Sequence, residues 1–362
     1  MNIIISQSKL QTALRFAERV ISKNISLPIL STVLLKAKDG QLKLSATNLE
    51  MGLNYWLGAK IDQAGEIAVP ARIFSEFISQ VGDERLNLSV EKNIMHINSD
   101  RYKTQILGME PKEFPLLPKI KSASQFKISA ADLKDGLLGV LDATAPTETR
   151  PELNGVFMAL DKNKAAFAAT DSFRLAEKII TLQATAEIKI IIPRNTAAEL
   201  VRIAGENGPE LTVNVADNQL FVVGESFEFI SRLIDGRYPD YKKIIPEKFI
   251  SLVKVNKAGL ERNIRTAGIF SSSISDIKIK VEDNLMMITA KNSDRGEIDA
   301  TVDCQLKNEP FELSLNYRYL LDGLKTISTE NAIIQFTGDG SPLVLKGDER
   351  QDQTYLIMPL RN

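Results

Sequence analysis

One cysteine, Cys304, and one histidine, His96, are all that 362 residues offer of the side chains most used for nucleophilic and metal chemistry. A lone cysteine excludes an internal disulfide and suits a reducing cytoplasm, the expected location. The two residues cannot build a His/Cys metal cluster, so neither a metal nor a cofactor is expected. A Ser-His-Asp or Cys-His arrangement would have to recruit His96 itself. That histidine sits in NIMHIN, an alternating strand pattern, and reads as a wet-face strand residue; Cys304 in TVDCQL reads as a small buried filler. There is no Walker-type phosphate loop, no GxGxxG and no GxSxG. No catalytic residue is therefore assigned. No apolar run approaches the length of a membrane span, and the opening MNIIISQSKLQTAL lacks the basic start, long apolar stretch and small-residue cleavage site of a signal peptide. Net charge is −1, so the chain is not broadly basic either.

What is present is repetition. A hydrophobic fraction of 44% and a charged fraction of 25% are those of a globular protein, and the length suggests two or three domains. Three segments open alike, with a short strand and then a helix: IIISQSKLQTAL, FKISAADLKDGL and LVKVNKAGLERNI. Their matching leucines are Leu10, Leu133 and Leu260. Each segment later reaches a strand closing in LSATN, AATD or ITAKN, 38, 38 and 32 positions after its leucine. Each then runs through a second strand into a second helix, in IAVPARIFSEFISQV, IIIPRNTAAELVRIA and ELSLNYRYLLDGLKTI. Apolar residues at helical spacing, such as Leu10, Ala13, Leu14, Ala17 and Ile21, alternate along the chain with β-branched strands of period two. The fold class is α+β: three repeated domains over residues 1–122, 123–247 and 248–362, each with two helices packed on antiparallel sheet. An elongated all-β array of adhesin-like modules is the rival, and six helices at equivalent places argue against it.

The charge is unevenly placed. Six helical windows (9–23, 72–80, 133–141, 194–202, 257–265 and 316–327) together carry +7, which leaves −8 for the remainder. Arg15, Arg19 and Lys23 fall four apart on one helix face, away from the apolar stripe. For one helix this is ordinary solvated surface; for six equivalent helices a shared basic surface is the better reading. Without aromatic interleaving it suits weak, sequence-independent phosphate contact.

The threefold repeat, with ATDSFRLA (169–176), RYPDYKKIIP (237–246) and the closing YLIMPLRN, resembles the bacterial β sliding clamp family, the processivity subunit of replicative DNA polymerase. LPIL (27–30) and VPAR (69–72) match as well, and the likeness spans the whole chain. It implies a head-to-tail homodimer of DNA-clamp domains closing into a ring, with helices lining a hole for duplex DNA. Such a ring is no enzyme. It confers processivity because a threaded duplex cannot escape the tethered polymerase. The implied subunit contact sets Ile73, Phe74, Arg101, Lys103 and Ile106 against Ile269 and Phe270, with Glu297 and Asp299 as acidic partners of the basic pair. The implied DNA contacts are Lys23 or Asn24, Arg72, Arg150, Arg194, Asn316 and Tyr319; where the family often has an aromatic pair before Leu153, this chain has Pro151-Glu152.

The resemblance also implies a pocket for short, mostly apolar peptides of the replicative polymerase, the clamp loader, repair polymerases and mismatch-repair proteins. It maps onto Leu153, Thr170, Ser172, Phe173, Arg174, Leu175, Pro239, Lys243, Ile244, Pro342, Leu356, Met358, Pro359, Leu360 and Arg361. Met and Leu supply an adaptable apolar floor, and Arg174 is expected to meet a peptide carbonyl or carboxylate. Many relatives carry Gly-His at Ser172-Phe173, so Phe173 makes the rim more apolar. The stretch QTYLIMPLRN is expected to be a strand with one face inward and the other toward this pocket, leaving Leu360 and Arg361 beside ATDSFRLA. Two other classes stay open at this point. A glycoside hydrolase would need paired carboxylates in a cleft that a threefold repeat does not supply, and a purely protein-binding scaffold would show no preference for circular DNA.

Overall fold

A computed structural model of the chain describes residues 1–21, 27–82, 85–120, 124–147, 149–183, 187–205 and 209–360. Six α-helices are present among them: α1 (Gln7–Val20), α2 (Ala71–Gln80), α3 (Ala130–Leu138), α4 (Arg194–Ala204), α5 (Lys257–Gly268) and α6 (Tyr317–Lys325). Each follows directly on a strand, as the repeats require. Leu10, Leu133 and Leu260 are each the fourth residue of their helix and are buried. Asn256 and Asn316 begin α5 and α6 as side-chain caps, accepting from the Gly259 and Arg318 N–H groups. No described helix is long and apolar enough to cross a membrane.

The chain divides into two compact units. The first comprises Met1–Ala131 with Arg202–Leu233, the second Asp132–Val201 with Ile234–Asn362. Every named strand pairing is antiparallel. The first unit holds a five-stranded sheet and an eight-stranded sheet. In the larger one Phe227–Arg232, from the second repeat, pairs with Met51–Gly58 from the first. On that sheet α1 lays down Leu10, Ala13, Leu14 and Ala17, with Phe16 stacked on Tyr55. The second unit is one run of twelve strands. Its counterpart seam pairs Arg174–Thr181, from the second repeat, with Gln353–Ile357 from the third. The middle repeat thus contributes strands to both units.

Close backbone approach seats the helices of the second unit. A side chain at Gly136 of α3 would meet the Phe167 ring at 2.5 Å, and one at Gly323 of α6 would meet Tyr355 at 2.7 Å. Lys178, 4% exposed, ties the second-to-third repeat seam by ion pairs to Asp135 (2.8 Å) and Asp352 (2.9 Å). Burial pushes the Asp352 carboxyl upward, but the Lys178 ammonium, with Arg350, outweighs it and holds the group below its usual range. Its folded pKa is therefore lower than its unfolded one. The contribution is full above the unfolded pKa and is lost as pH falls through the folded value. Thermal unfolding from pH 7 down to pH 3 is expected to show a steeper acid loss for the wild type than for Asp352→Asn; equal slopes would contradict this assignment.

Cys304 is buried, as its strand position suggests, and burial pushes its thiol pKa up. His96 lies half-buried on the strand Ile94–Asn98.

Candidate partner groove and interfaces

ATDSFRLA forms a tight turn feeding the seam strand. Thr170 Oγ1 donates to the Arg174 carbonyl (2.6 Å) and accepts from the Ser172 N–H (3.1 Å). Asp171 Oδ1 accepts from the N–H groups of Phe173 (2.9 Å) and Arg174 (3.0 Å). Ser172 takes φ 77°, a left-handed conformation that these side-chain bonds sustain. The turn thrusts Phe173 into solvent, 61% exposed.

Beyond the turn, Leu175 pairs with Leu356 and Arg174 with Ile357. Leu153, Leu175 and Leu356 are buried together with Tyr238, Tyr241 and Val344 in one apolar cluster, with Phe157 stacked on Tyr238. Pro239 and Ile244 are exposed, and Met358, Pro359 and Leu360 are half-buried. Lys243 is exposed and paired with Asp240, and Pro342 is half-buried. The expected pocket residues therefore separate into a sealed floor (Leu153, Leu175, Leu356, with Thr170) and an accessible rim. Tyr238, Tyr241 and Val344 belong to the floor without having been expected there. Both tyrosines sit in the YPDY signature, which is the sequence signal that marks them.

Three expectations are corrected. The strand Gln353–Ile357 is buried on both faces, not one. It has paired neighbours on each side, Arg174–Thr181 and Leu343–Gly347, so Tyr355 packs against Gly323 of α6 while Leu356 faces the apolar cluster. The lip begins only at Met358, whose N–H donates to the Phe173 carbonyl (2.8 Å). Leu360 does not lie beside ATDSFRLA by its backbone; its N–H donates to the Ser314 carbonyl (2.8 Å) of the strand Phe311–Asn316. Arg361 is outside the described residues.

Arg174 is the third correction. Its side chain is only 11% exposed. The guanidinium is bound by Asp171 (3.0 Å), Asp322 and the Tyr355 hydroxyl (3.3 Å), and it covers the Tyr319 ring at 4.4 Å. Burial works against its charge, but Tyr355, Asp322 and Asp171 more than offset this and push its pKa above the ordinary arginine value. Arg174 thus binds α6 to the seam and does not stand ready for a ligand carboxylate. Tyr319, expected at DNA, is brought to the same place by that stacking.

Three family models cover nearly the whole chain: the N-terminal domain of the DNA polymerase III beta subunit over residues 1–118, its central domain over 127–240 and its C-terminal domain over 242–361. The chain belongs to the DNA polymerase III beta subunit family. It is 30% identical to the beta sliding clamp of Synechococcus elongatus, over 100% of this chain and 99% of that protein, and 28% identical to that of Staphylococcus aureus with the same coverage. Among solved structures it resembles a sliding clamp of Pseudomonas aeruginosa bound to griselimycin, with a TM-score of 0.95, 25% identity and 100% of both chains covered. The beta subunit of Thermotoga maritima gives a TM-score of 0.95 at 27% identity, over 100% of this chain and 99% of that one. As a member of this family the chain is a DNA sliding clamp, a processivity factor of replication with DNA and polymerase as partners and no catalysis of its own.

Lys9, Arg15, Arg19, Arg262, Arg265 and Arg318 are exposed on their helices. Arg72 is exposed and shares its charge with Glu76 at 2.8 Å. Arg150 is exposed beside the 3-10 turn Pro151–Leu153, and Arg194 opens α4 half-buried. Asn316 is occupied as the α6 cap and donates to the Ile274 carbonyl (3.2 Å). Lys23 and Asn24 fall outside the described residues.

The expected subunit-contact residues also divide. Ile73 is 56% and Ile269 60% exposed, while Phe270 is half-buried. The side chains of Phe74 and Ile106 are buried at 0% and 6% and offer little surface to a partner. Phe74 lies on the inward stripe of α2 with Ala71 and Ile78, and Ile106 on the inward face of Lys103–Leu107. That strand ends its five-stranded sheet, with Lys103 exposed. In the second unit the long strand Gly296–Asn308 pairs with Leu285–Asn292 through residue 303 and with Ser251–Asn256 from 304 onward. Among the described residues its first half is consequently paired on one side only, and it carries Glu297 and Asp299 exposed there.

Proposed function

We propose that two copies of this chain close head to tail into a ring around duplex DNA. The edge strand Lys103–Leu107 of each copy would add to the half-paired Gly296–Asn308 of the other. Arg101 and Lys103 then face Glu297 and Asp299, and Ile73 meets Ile269 and Phe270. Two complementary open strand edges with opposite charge support this reading. A two-chain head-to-tail contact closes the ring and covers both of these edges. Arg72, Arg150 and Arg194, with the exposed helical cations, would touch phosphates weakly enough to permit sliding. Domain limits at 1–122, 123–247 and 248–362 and a cytoplasmic location are part of the same proposal.

The groove between Phe173, Ile244, Pro239 and Met358–Leu360 would take short apolar peptide segments of the replicative polymerase, the clamp loader, repair polymerases and mismatch-repair proteins. The observation that carries it is the exposure of the apolar residues Phe173 and Ile244, which neighbour in sequence the buried apolar cluster of Leu175, Tyr241 and Leu356. Griselimycin, which a Pseudomonas relative binds, is expected to compete for it. The threading is tested by loading the chain on nicked circular DNA with its loader and then linearising the circle. The clamp should run off the ends; retention on the linear product would defeat the ring.

A further inference from the structure

The first repeat carries the same turn that frames the groove. Thr47 Oγ1 donates to the Met51 carbonyl (2.9 Å) and accepts from the Leu49 N–H (3.0 Å). Asn48 Oδ1 accepts from the N–H groups of Glu50 (3.0 Å) and Met51 (2.8 Å), and Leu49 has φ 75°. Met51 pairs with Ser231 as Arg174 pairs with Ile357. The Arg232 N–H donates to the Glu50 carbonyl (2.9 Å), as the Met358 N–H does to Phe173. Upstream, Leu30 is buried in Pro28–Ser31 as Leu153 is in Pro151–Leu153. The hydrogen-bonded frame of a partner site is therefore built twice.

The two frames differ in floor and charge. Gly52 stands where the groove has Leu175, and Leu117 Cδ2 lies 2.6 Å from the point a Gly52 Cβ would occupy. The chain's own Leu117 closes the apolar floor at that point. Arg232 stands where the groove has Met358. Beside it opens a cleft of about 670 Å³, lined by Pro118, Lys119, Asp217, Phe221, Arg232 and Leu233 among others. Lys119 is exposed. Arg232 reaches Glu50 only at 3.5 Å, with both side chains about two-thirds exposed. Asp217 is the one carboxylate among the described lining residues, against two cations.

We infer that this cleft of the first unit is a second docking site, for an extended acidic peptide segment of a partner protein. Leu117 fills the frame at Gly52, where the groove has Leu175, and in the adjoining cleft Lys119 and Arg232 offer positive charge. The inference rests on the groove reading only for the view that ligands of such frames are peptides. The probe is a fluorescein-labelled octapeptide alternating glutamate and leucine, followed by anisotropy. Wild type should bind it, and Lys119→Glu combined with Arg232→Glu should weaken it about tenfold. Phe173→Ala and added griselimycin should leave it unchanged. Circular dichroism should confirm that the charge-reversed chain is folded, since both side chains are exposed. Absence of binding to wild type, or equal binding to the charge-reversed chain, overturns the inference. Loss of binding in Phe173→Ala alone also overturns it and leaves the groove reading standing. If an apolar peptide fails on wild type while the acidic one behaves as stated, the groove reading falls and the second site stands.

Discussion

Removal of residues 358–362 should abolish binding of an apolar partner peptide, by about a hundredfold or more, while the chain stays folded. The strand Gln353–Ile357 keeps both of its neighbours after this truncation, so the seam survives. Among the described residues two backbone hydrogen bonds disappear, from Met358 to Phe173 and from Leu360 to Ser314. Each contributes roughly 1 kcal/mol net, a modest loss for the domain. The proposed groove would lose one wall, formed by the half-buried Met358, Pro359 and Leu360. A hundredfold corresponds to about 2.7 kcal/mol, a common cost for removing an interface hot spot. The contrast is Leu356→Ala, two residues upstream. That residue is 2% exposed inside the apolar cluster, and its truncation should destabilise the fold by about 3 kcal/mol before it affects binding. Titration calorimetry and thermal unfolding of both variants separate the cases. Peptide affinity within a few-fold of wild type after truncation would remove the lip from the site.

Ile269→Asp should convert dimers to monomers and eliminate retention on nicked circular DNA. Ile269 directly follows α5 and is 60% exposed, so an aspartate there meets water in the isolated chain and costs the fold little. In the proposed contact it would bring a carboxylate against the apolar side chain of Ile73, with Arg295, which donates to the Ile269 carbonyl (3.2 Å), on its own subunit. Replacing an apolar contact with a buried charge and losing the Ile269 packing costs about 2 to 3 kcal/mol, enough for about a hundredfold loss of dimer affinity. Sedimentation equilibrium reads the change directly, and the circular-DNA assay reads its consequence. An unchanged dimer would place the subunit contact elsewhere on the molecule. Ile106→Ala is the informative control. Because Ile106 is 6% exposed, its effect should appear in thermal unfolding and not as a selective loss of the dimer.

The chain's local pattern is sufficient for much of this protein. The positions of Leu10, Leu133 and Leu260 place three helices and their inward faces, since a helix's 3.6-residue period is written in consecutive residues. The Thr-Asp-Ser-Phe and Thr-Asn-Leu-Glu turns are legible for the same reason: their hydrogen bonds join residues two to four apart. The lack of a second histidine and a second cysteine bounds the chemistry from composition alone. The closing apolar strand departs from its one-faced expectation, because alternation describes one strand and says nothing of its neighbours. Leu356 becomes core only when Leu175, almost two hundred residues away, takes the adjacent place in the sheet. Arg174 reads as a ligand-binding cation in sequence, yet Asp322 and Tyr319 reach it from α6 and occupy it. Phe74 and Ile106, which the resemblance sets at the subunit contact, have side chains that packing turns inward. Sequence therefore determined the repeats, the turns and the exposed helical charge, because each depends on near neighbours. Tertiary structure alone decided which apolar residues form floor or rim and which cations remain accessible, because burial is settled by strands and helices that meet from distant parts of the chain.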